Sequence, residues 1–172
     1  MDLYVGTSGY SYKEWKGTFY PKDLPAQKML RFYGERFRTV EINSTFYGLP
    51  KASVLEGWAD AVPADFKFVL KAPKQITHVQ GLKDAGDLMS HLLEVAGALT
   101  EHSGPLLFQL PPTAKKDVPR LRAFLALLRC SSARRLSSAT RHGSTMRSSD
   151  CYVIIAQRYA SRTPRVILKF LL

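Results

Sequence analysis

Phe66-Lys67-Phe68-Val69-Leu70-Lys71-Ala72-Pro73 decides how this chain is read. The run is rich in strand-forming residues, too short for a helix, and stopped by a proline. Phe68-Val69-Leu70 is apolar at consecutive positions, so neither face of the strand is written for water. That is the mark of a strand in a parallel sheet covered on both sides. Leu106-Leu107-Phe108 repeats the pattern, and Pro111-Pro112 ends it.

Working outward, short apolar runs alternate with helical stripes. The expected strands are Leu3–Val5, Thr39–Ile42, Phe66–Leu70 and Leu106–Leu110. Gln27–Phe37 carries Met29, Leu30, Tyr33 and Phe37 at helical spacing, and Asp87–Leu99 carries Leu88, Leu92, Val95 and Leu99. Ser53 with Glu56 three residues on reads as a capping box for a helix to Ala61, and Val118–Leu128 is the last helix. Four β-then-α units in series predict an α/β fold, a parallel sheet with helical crossovers. Polar residues gather at or just beyond the strand ends: Thr7, Ser8, Glu41, Asn43, Lys71 and Gln109. In a (β/α) barrel that edge holds the chemistry, and four units are half of such a barrel.

The 172 residues suit one domain, and 45% hydrophobic with 23% charged residues exclude whole-chain disorder. No apolar run is long enough for a membrane span and no signal peptide opens the chain. Cys130 and Cys151 make neither a metal site nor a disulfide framework, so the expected setting is the cytoplasm, with no membrane partner. The net charge of +11 is unevenly spread. Residues 130–172 hold 8 basic residues, one acidic residue (Asp150) and eight serines. That shift in composition divides the chain into 1–129 and 130–172.

Four stretches resemble the YecE-like family of TIM-barrel proteins, a domain of unknown function. They are Gly6–Pro21, Val40–Pro50, Phe66–Pro73 with Ile76-Thr77-His78, and Gly104–Pro112. They fall in family order and spacing across residues 3–128. The resemblance implies that residues 1–129 are the N-terminal half of a (β/α)8 TIM barrel. It also implies a fifth strand beyond Arg129 with a pattern like Glu-x-Arg-His-x-Ser-Trp, and the chain reads otherwise.

Reading the third base of each codon with the first two of the next is compatible with that pattern. Asp150-Cys151 and Cys151-Tyr152 can then give only leucine, while His142-Gly143 gives Trp or Arg. With free third bases chosen, residues 135–153 yield Val-Glu-Phe-Arg-His-Ala-Ser-Trp-Leu-Asp-Asp-Ala-Val-Phe-Arg-Leu-Leu-Arg. Residues 157–163 yield Ala-Leu-Cys-Ile-Ala-Asp. The expectation is a frameshift between about Leu128 and Arg135, a non-native or poorly ordered tail, and a chain that is truncated and inactive as written.

Glu41 beside Asn43 suits a general base with an orienting amide, or a structural carboxylate tying loops together. Lys71 suits a phosphate or carboxylate anchor, or a partner for Glu41 across the sheet. His78, in the loop after the third strand, suits proton transfer, or a solvated loop position. Glu41, Lys71 and His78 are thus the candidate catalytic residues, and Thr7, Ser8, Tyr10, Asn43, Tyr47 and Gln109 the candidate binding residues. Gln109 offers both a donor and an acceptor. The aromatic loop of Tyr10, Tyr12, Trp15, Phe19 and Tyr20, with Lys13 and Lys16, suits either stacking on sugars or bases or a cap on the barrel. His78, His91 and His102 lack metal-like spacing, and Gly6-Thr7-Ser8-Gly9 lacks the lysine of a phosphate-cradling loop. The sequence names no metal or other cofactor.

For full-length relatives the expected function is a barrel enzyme on a small polar or phosphate-bearing substrate. The alternative is a nucleic-acid-binding protein using the aromatic-basic loop.

Overall fold

The computed structural model describes residues 4–138 and 153–157. Five strands form one sheet: β1 (Gly6–Ser8), β2 (Thr39–Ile42), β3 (Lys67–Lys71), β4 (Ser103–Leu110) and β5 (Val153–Gln157). They lie in the order β1-β2-β3-β4-β5, every neighbouring pair parallel. Helices α1 (Met29–Gly34), α2 (Ala52–Ala59) and α3 (Gly86–Ala96) cross between the first four, and α4 (Val118–Ser138) follows β4. Consecutive parallel strands with intervening helices follow barrel order; a doubly wound sheet would reverse direction at a switch point. Among the described residues no helix is long and apolar enough to cross a membrane.

Alternation along the strands builds the core. Val40, Ile42, Phe68, Leu70, Leu106 and Phe108 are buried on the face that meets the helices. There they join Tyr33 of α1, Leu55 of α2, Met89 and Leu92 of α3, and Phe124 of α4. Each such burial is worth about 1.5–3 kcal/mol. The other face is lined by Glu41, Lys67, Val69, Lys71, Leu107 and Gln109, all half-buried. The expectation of burial on both faces is therefore met on the helix side only, because among the described residues nothing fully covers the second face.

The first strand begins later than its apolar run suggests. Tyr4 and Val5 are exposed outside the sheet, and Gly6 starts β1. A Cβ on Gly6 would lie 1.8 Å from the Thr39 carbonyl oxygen, so only glycine permits this approach. Gly104 does the same in β4, where a Cβ would lie 2.7 Å from the Phe68 carbonyl oxygen. The register slips beside it: Phe68 pairs with Ser103 but Leu70 with Leu106. The extra residue is a bulge that accommodates Pro105, which has no N–H to donate.

The capping box does not form. Lys51, extended at φ −64° and ψ 150°, precedes α2, and no side chain caps it. The helix begins at Ala52, which puts Ser53 inside the first turn. Past α3 the chain tightens into a 3₁₀ segment, Gly97–His102. The domain division expected at Arg129 falls within α4, which runs on to Ser138, and β5 pairs with Leu106–Leu110 of β4. Of the tail expected to be poorly ordered, residues 139–152 and 158–172 lie outside the described residues.

Candidate functional site

The C-terminal ends of β1, β2 and β3 bring three polar side chains into line. Ser8 pairs with Glu41 across β1 and β2, and Asn43 follows two residues on, just past the end of β2. The Asn43 side-chain N–H donates to Ser8 Oγ at 2.6 Å, and the Lys71 ammonium donates to Asn43 Oδ1 at 3.3 Å. The amide thus sits between a hydroxyl and a cation, with its dipole fixed from both ends.

Two further contacts hold this edge. Thr45, fully buried in the turn after β2, sets its hydroxyl 2.8 Å from the Ile42 carbonyl and 2.7 Å from that of Lys71. It pins the turn to the neighbouring strand and so sets the reach of the Lys71 side chain. The Lys71 ammonium also lies 5.1 Å from the centre of the Phe46 ring, within cation–π range.

His78 meets the same aromatic ring edge-on. Their centroids are 5.0 Å apart with the planes at 82°. The histidine is carried on a π-helical turn, Gln75–Val79, a rare local geometry. Thr77, one residue earlier, is buried, and its Oγ1 lies 2.9 Å from His78 Nδ1. Partial burial of the ring holds the His78 pKa below its usual 6.5, and the Lys71 charge lowers it further. Ser8, Asn43, Lys71, Phe46 and His78 therefore form one continuous group at the sheet's C-terminal edge, with the exposed Tyr47 stacked edge-on against Phe46.

Other candidates lie elsewhere or bind less. Glu41 contributes its carbonyl, which accepts from the Gly9 N–H at 2.8 Å. Gln109 shares the open face, two residues beyond Leu107, which pairs with Lys71. No hydrogen bond joins it to the group among the described residues. Thr7 turns to the helix layer: its backbone N–H donates to Tyr33 Oη at 2.8 Å, and its hydroxyl lies 2.9 Å from the same oxygen. Tyr10 is embedded in the aromatic loop, where its carbonyl accepts from the Tyr20 hydroxyl at 2.5 Å. Burial raises the Tyr10 pKa, and that of Tyr20 is pushed up to about 12, chiefly by burial and then by Tyr33 and Tyr10.

The loop itself packs against α1. Trp15, Phe19 and Tyr20 contact one another, and Phe19 packs edge-on to Phe32 and Tyr33 of α1. Lys13 and Lys16 stay exposed. Thr45 and Thr77 escaped notice in the sequence because a buried threonine has no spacing signal. The local hint was their place one or two residues after a turn-forming Asn43-Ser44 or inside Ile76-Thr77-His78.

The family described as "Protein of unknown function DUF72" matches residues 4–162. The chain is 31% identical over 124 residues to the UPF0759 protein YecE of Escherichia coli strain K12, covering 72% of this chain and 43% of that one. It is 31% identical over 129 residues to the UPF0759 protein YunF of Bacillus subtilis strain 168, covering 70% and 45%. The chain thus spans less than half the length of these curated relatives. Among solved structures, a DUF72 family protein of Thermotoga maritima aligns with a TM-score of 0.63 at 29% identity, over 91% of this chain and 55% of that one. One from Enterococcus faecalis aligns with a TM-score of 0.55 at 22% identity, over 75% and 47%, which speaks to fold alone.

Proposed function

We propose, for a chain that belongs to the DUF72 family, that the C-terminal edge of its sheet is a binding site for a small anionic, phosphate-bearing ligand. The observation that carries this reading is the hydrogen-bonded line from Ser8 through Asn43 to Lys71. A lysine ammonium steadied by an amide supplies charge, and the hydroxyl and amide supply direction. His78 contacts the same Phe46 ring that the Lys71 ammonium approaches. In a closed (β/α)8 barrel this edge is the mouth where catalysis is housed, so the full-length reading is a barrel enzyme.

The same reading extends to the gene. In the shifted frame Val153-Ile154 can give only Asn, Asp, His or Tyr, and Ile154-Ile155 only Asn, His or Tyr. Ile155-Ala156 gives Arg, Cys or Ser. The shift thus converts the apolar β5 segment into a polar link between a leucine-rich helix end and the strand-like Ala-Leu-Cys-Ile-Ala-Asp. Two segments therefore compete for the place beside β4: Val153–Gln157 as the chain stands, and Val-Glu-Phe-Arg-His in the other frame. We favour the second, in a reading-frame-restored protein that completes the barrel. The present chain then binds the anion without turning a substrate over.

The test titrates the 172-residue protein, labelled with ¹⁵N, with inorganic phosphate and separately with a short single-stranded oligonucleotide. Phosphate is expected to shift the Asn43 side-chain amide and the Ser8 and Lys71 backbone resonances, and to keep doing so in moderate salt. An oligonucleotide response at Tyr12, Lys13 and Trp15, lost steeply with salt and unaccompanied by a phosphate response, would favour the nucleic-acid alternative instead.

A further inference from the structure

Thr77 and His78 sit at consecutive positions of the π-helical turn, yet one is buried and the other exposed. Consecutive side chains of a helical turn point in different directions, and here the threonine faces in and the histidine out. Thr77 is 1% exposed, so its hydroxyl is closed off from bulk water. Among the described residues the one partner within hydrogen-bond reach of that hydroxyl is His78 Nδ1, at 2.9 Å.

We infer that Thr77 is a positioning residue whose hydroxyl donates to Nδ1 of His78, fixing the ring as the neutral Nε2–H tautomer. The argument is one of satisfaction. A hydroxyl carries a single hydrogen, and a buried donor left without an acceptor costs about 1–3 kcal/mol. Were Nδ1 protonated, Thr77 would have to accept, and its own hydrogen would point at nothing. Donation to Nδ1 removes that cost and leaves the proton on Nε2. Charging the imidazole would undo the arrangement, since both nitrogens then donate.

The surroundings agree. The groups packed on the ring are Phe46, from the turn after β2, which is neutral, and Thr77 itself. The charged group acting on it is Lys71 of β3, which opposes a second positive charge. Resting on the anion-site reading, this deepens it: His78 offers the ligand a neutral N–H donor beside the Lys71 ammonium. It does not act as the resting base. The ligand class that matches is one presenting oxyanion or carbonyl oxygens to both donors, with an apolar portion against Phe46 and Tyr47.

The test is long-range ¹H–¹⁵N spectroscopy of the ¹⁵N-histidine-labelled 172-residue protein, the His78 signals being assigned by their loss in H78Q. The wild type is expected to show Nε2 protonated and Nδ1 bare at neutral pH. Thr77→Val should mix the two tautomers and move the His78 pKa up toward 6.5, and Thr77→Ser should restore both. A wild-type ring protonated on Nδ1, an even mixture, or a T77V ring unchanged from wild type would overturn the assignment. Phosphate added to the same samples keeps the two readings apart. A fixed tautomer with no phosphate response sinks the anion site and leaves Thr77's role standing.

Discussion

The Lys71 ammonium lies 3.3 Å from Asn43 Oδ1, one strand away, while the opposite end of the same amide holds Ser8 at 2.6 Å. Three strand ends are thereby tied by side chains as well as by the sheet. The order matters, because an amide can serve both neighbours only with its oxygen toward the cation. Replacing it with Asp keeps the shape and adds a negative charge between hydroxyl and ammonium. Asn43→Asp should leave the fold intact, as read by circular dichroism, and weaken phosphate binding at least tenfold by calorimetry.

Tyr33 should matter to folding and not to ligand. Its hydroxyl meets the Thr7 N–H and Thr7 Oγ1 and donates to the Thr39 carbonyl at 3.0 Å, joining α1 to the edges of β1 and β2. Tyr33→Phe is expected to cost about 1–3 kcal/mol in urea denaturation, with phosphate affinity unchanged.

Gly6 tests the close approach of β1 to β2. A methyl group there would collide with the Thr39 backbone and not with a movable side chain. Gly6→Ala should cost about 3 kcal/mol or prevent β1 from pairing, seen as lost amide-exchange protection at Gly9.

His78 contributes to stability with a definite sign. Its folded pKa lies below the unfolded value near 6.5, so the unfolded chain binds more protons between the two. The contribution is fully present above pH 6.5 and is lost as the pH falls through that window. Wild type should therefore lose more stability than H78Q on moving from pH 7.5 to 5. Equal losses would contradict the lowered pKa.

The frame proposal is settled by codons. If the third bases across residues 135–153 permit Glu-Phe-Arg-His and Trp where required, and a single-base change opens a long frame, the barrel reading stands. Third bases that forbid those residues would refute it.

Much of the fold was legible because strands in parallel sheets carry apolar runs: Thr39–Ile42 is found as expected, and Lys67–Lys71 is displaced by one residue. β1 was misplaced because its determinant is backbone proximity at Gly6, which hydrophobicity does not report. Ser53 looked like a cap because its type and spacing fit, yet Lys51's extended backbone set the start two residues earlier. At the site, Asn43, Lys71 and Ser8 were legible as polar residues at strand ends, and His78 as a polar residue in the loop after the third strand. Thr7 was not distinguishable from Ser8, since one residue of strand alternation separates the helix face from the open face. Thr45 and Thr77 act through buried hydroxyls, visible only once the turns are folded.

The central claim is that Lys71 and its amide neighbour hold an anion. Its most direct test is isothermal calorimetry of inorganic phosphate with the wild-type protein and Lys71→Gln, after circular dichroism has shown both folded. The account predicts measurable binding by wild type and at least a tenfold loss in K71Q. Equal affinity in the two proteins, or no binding by the folded wild type, would contradict it.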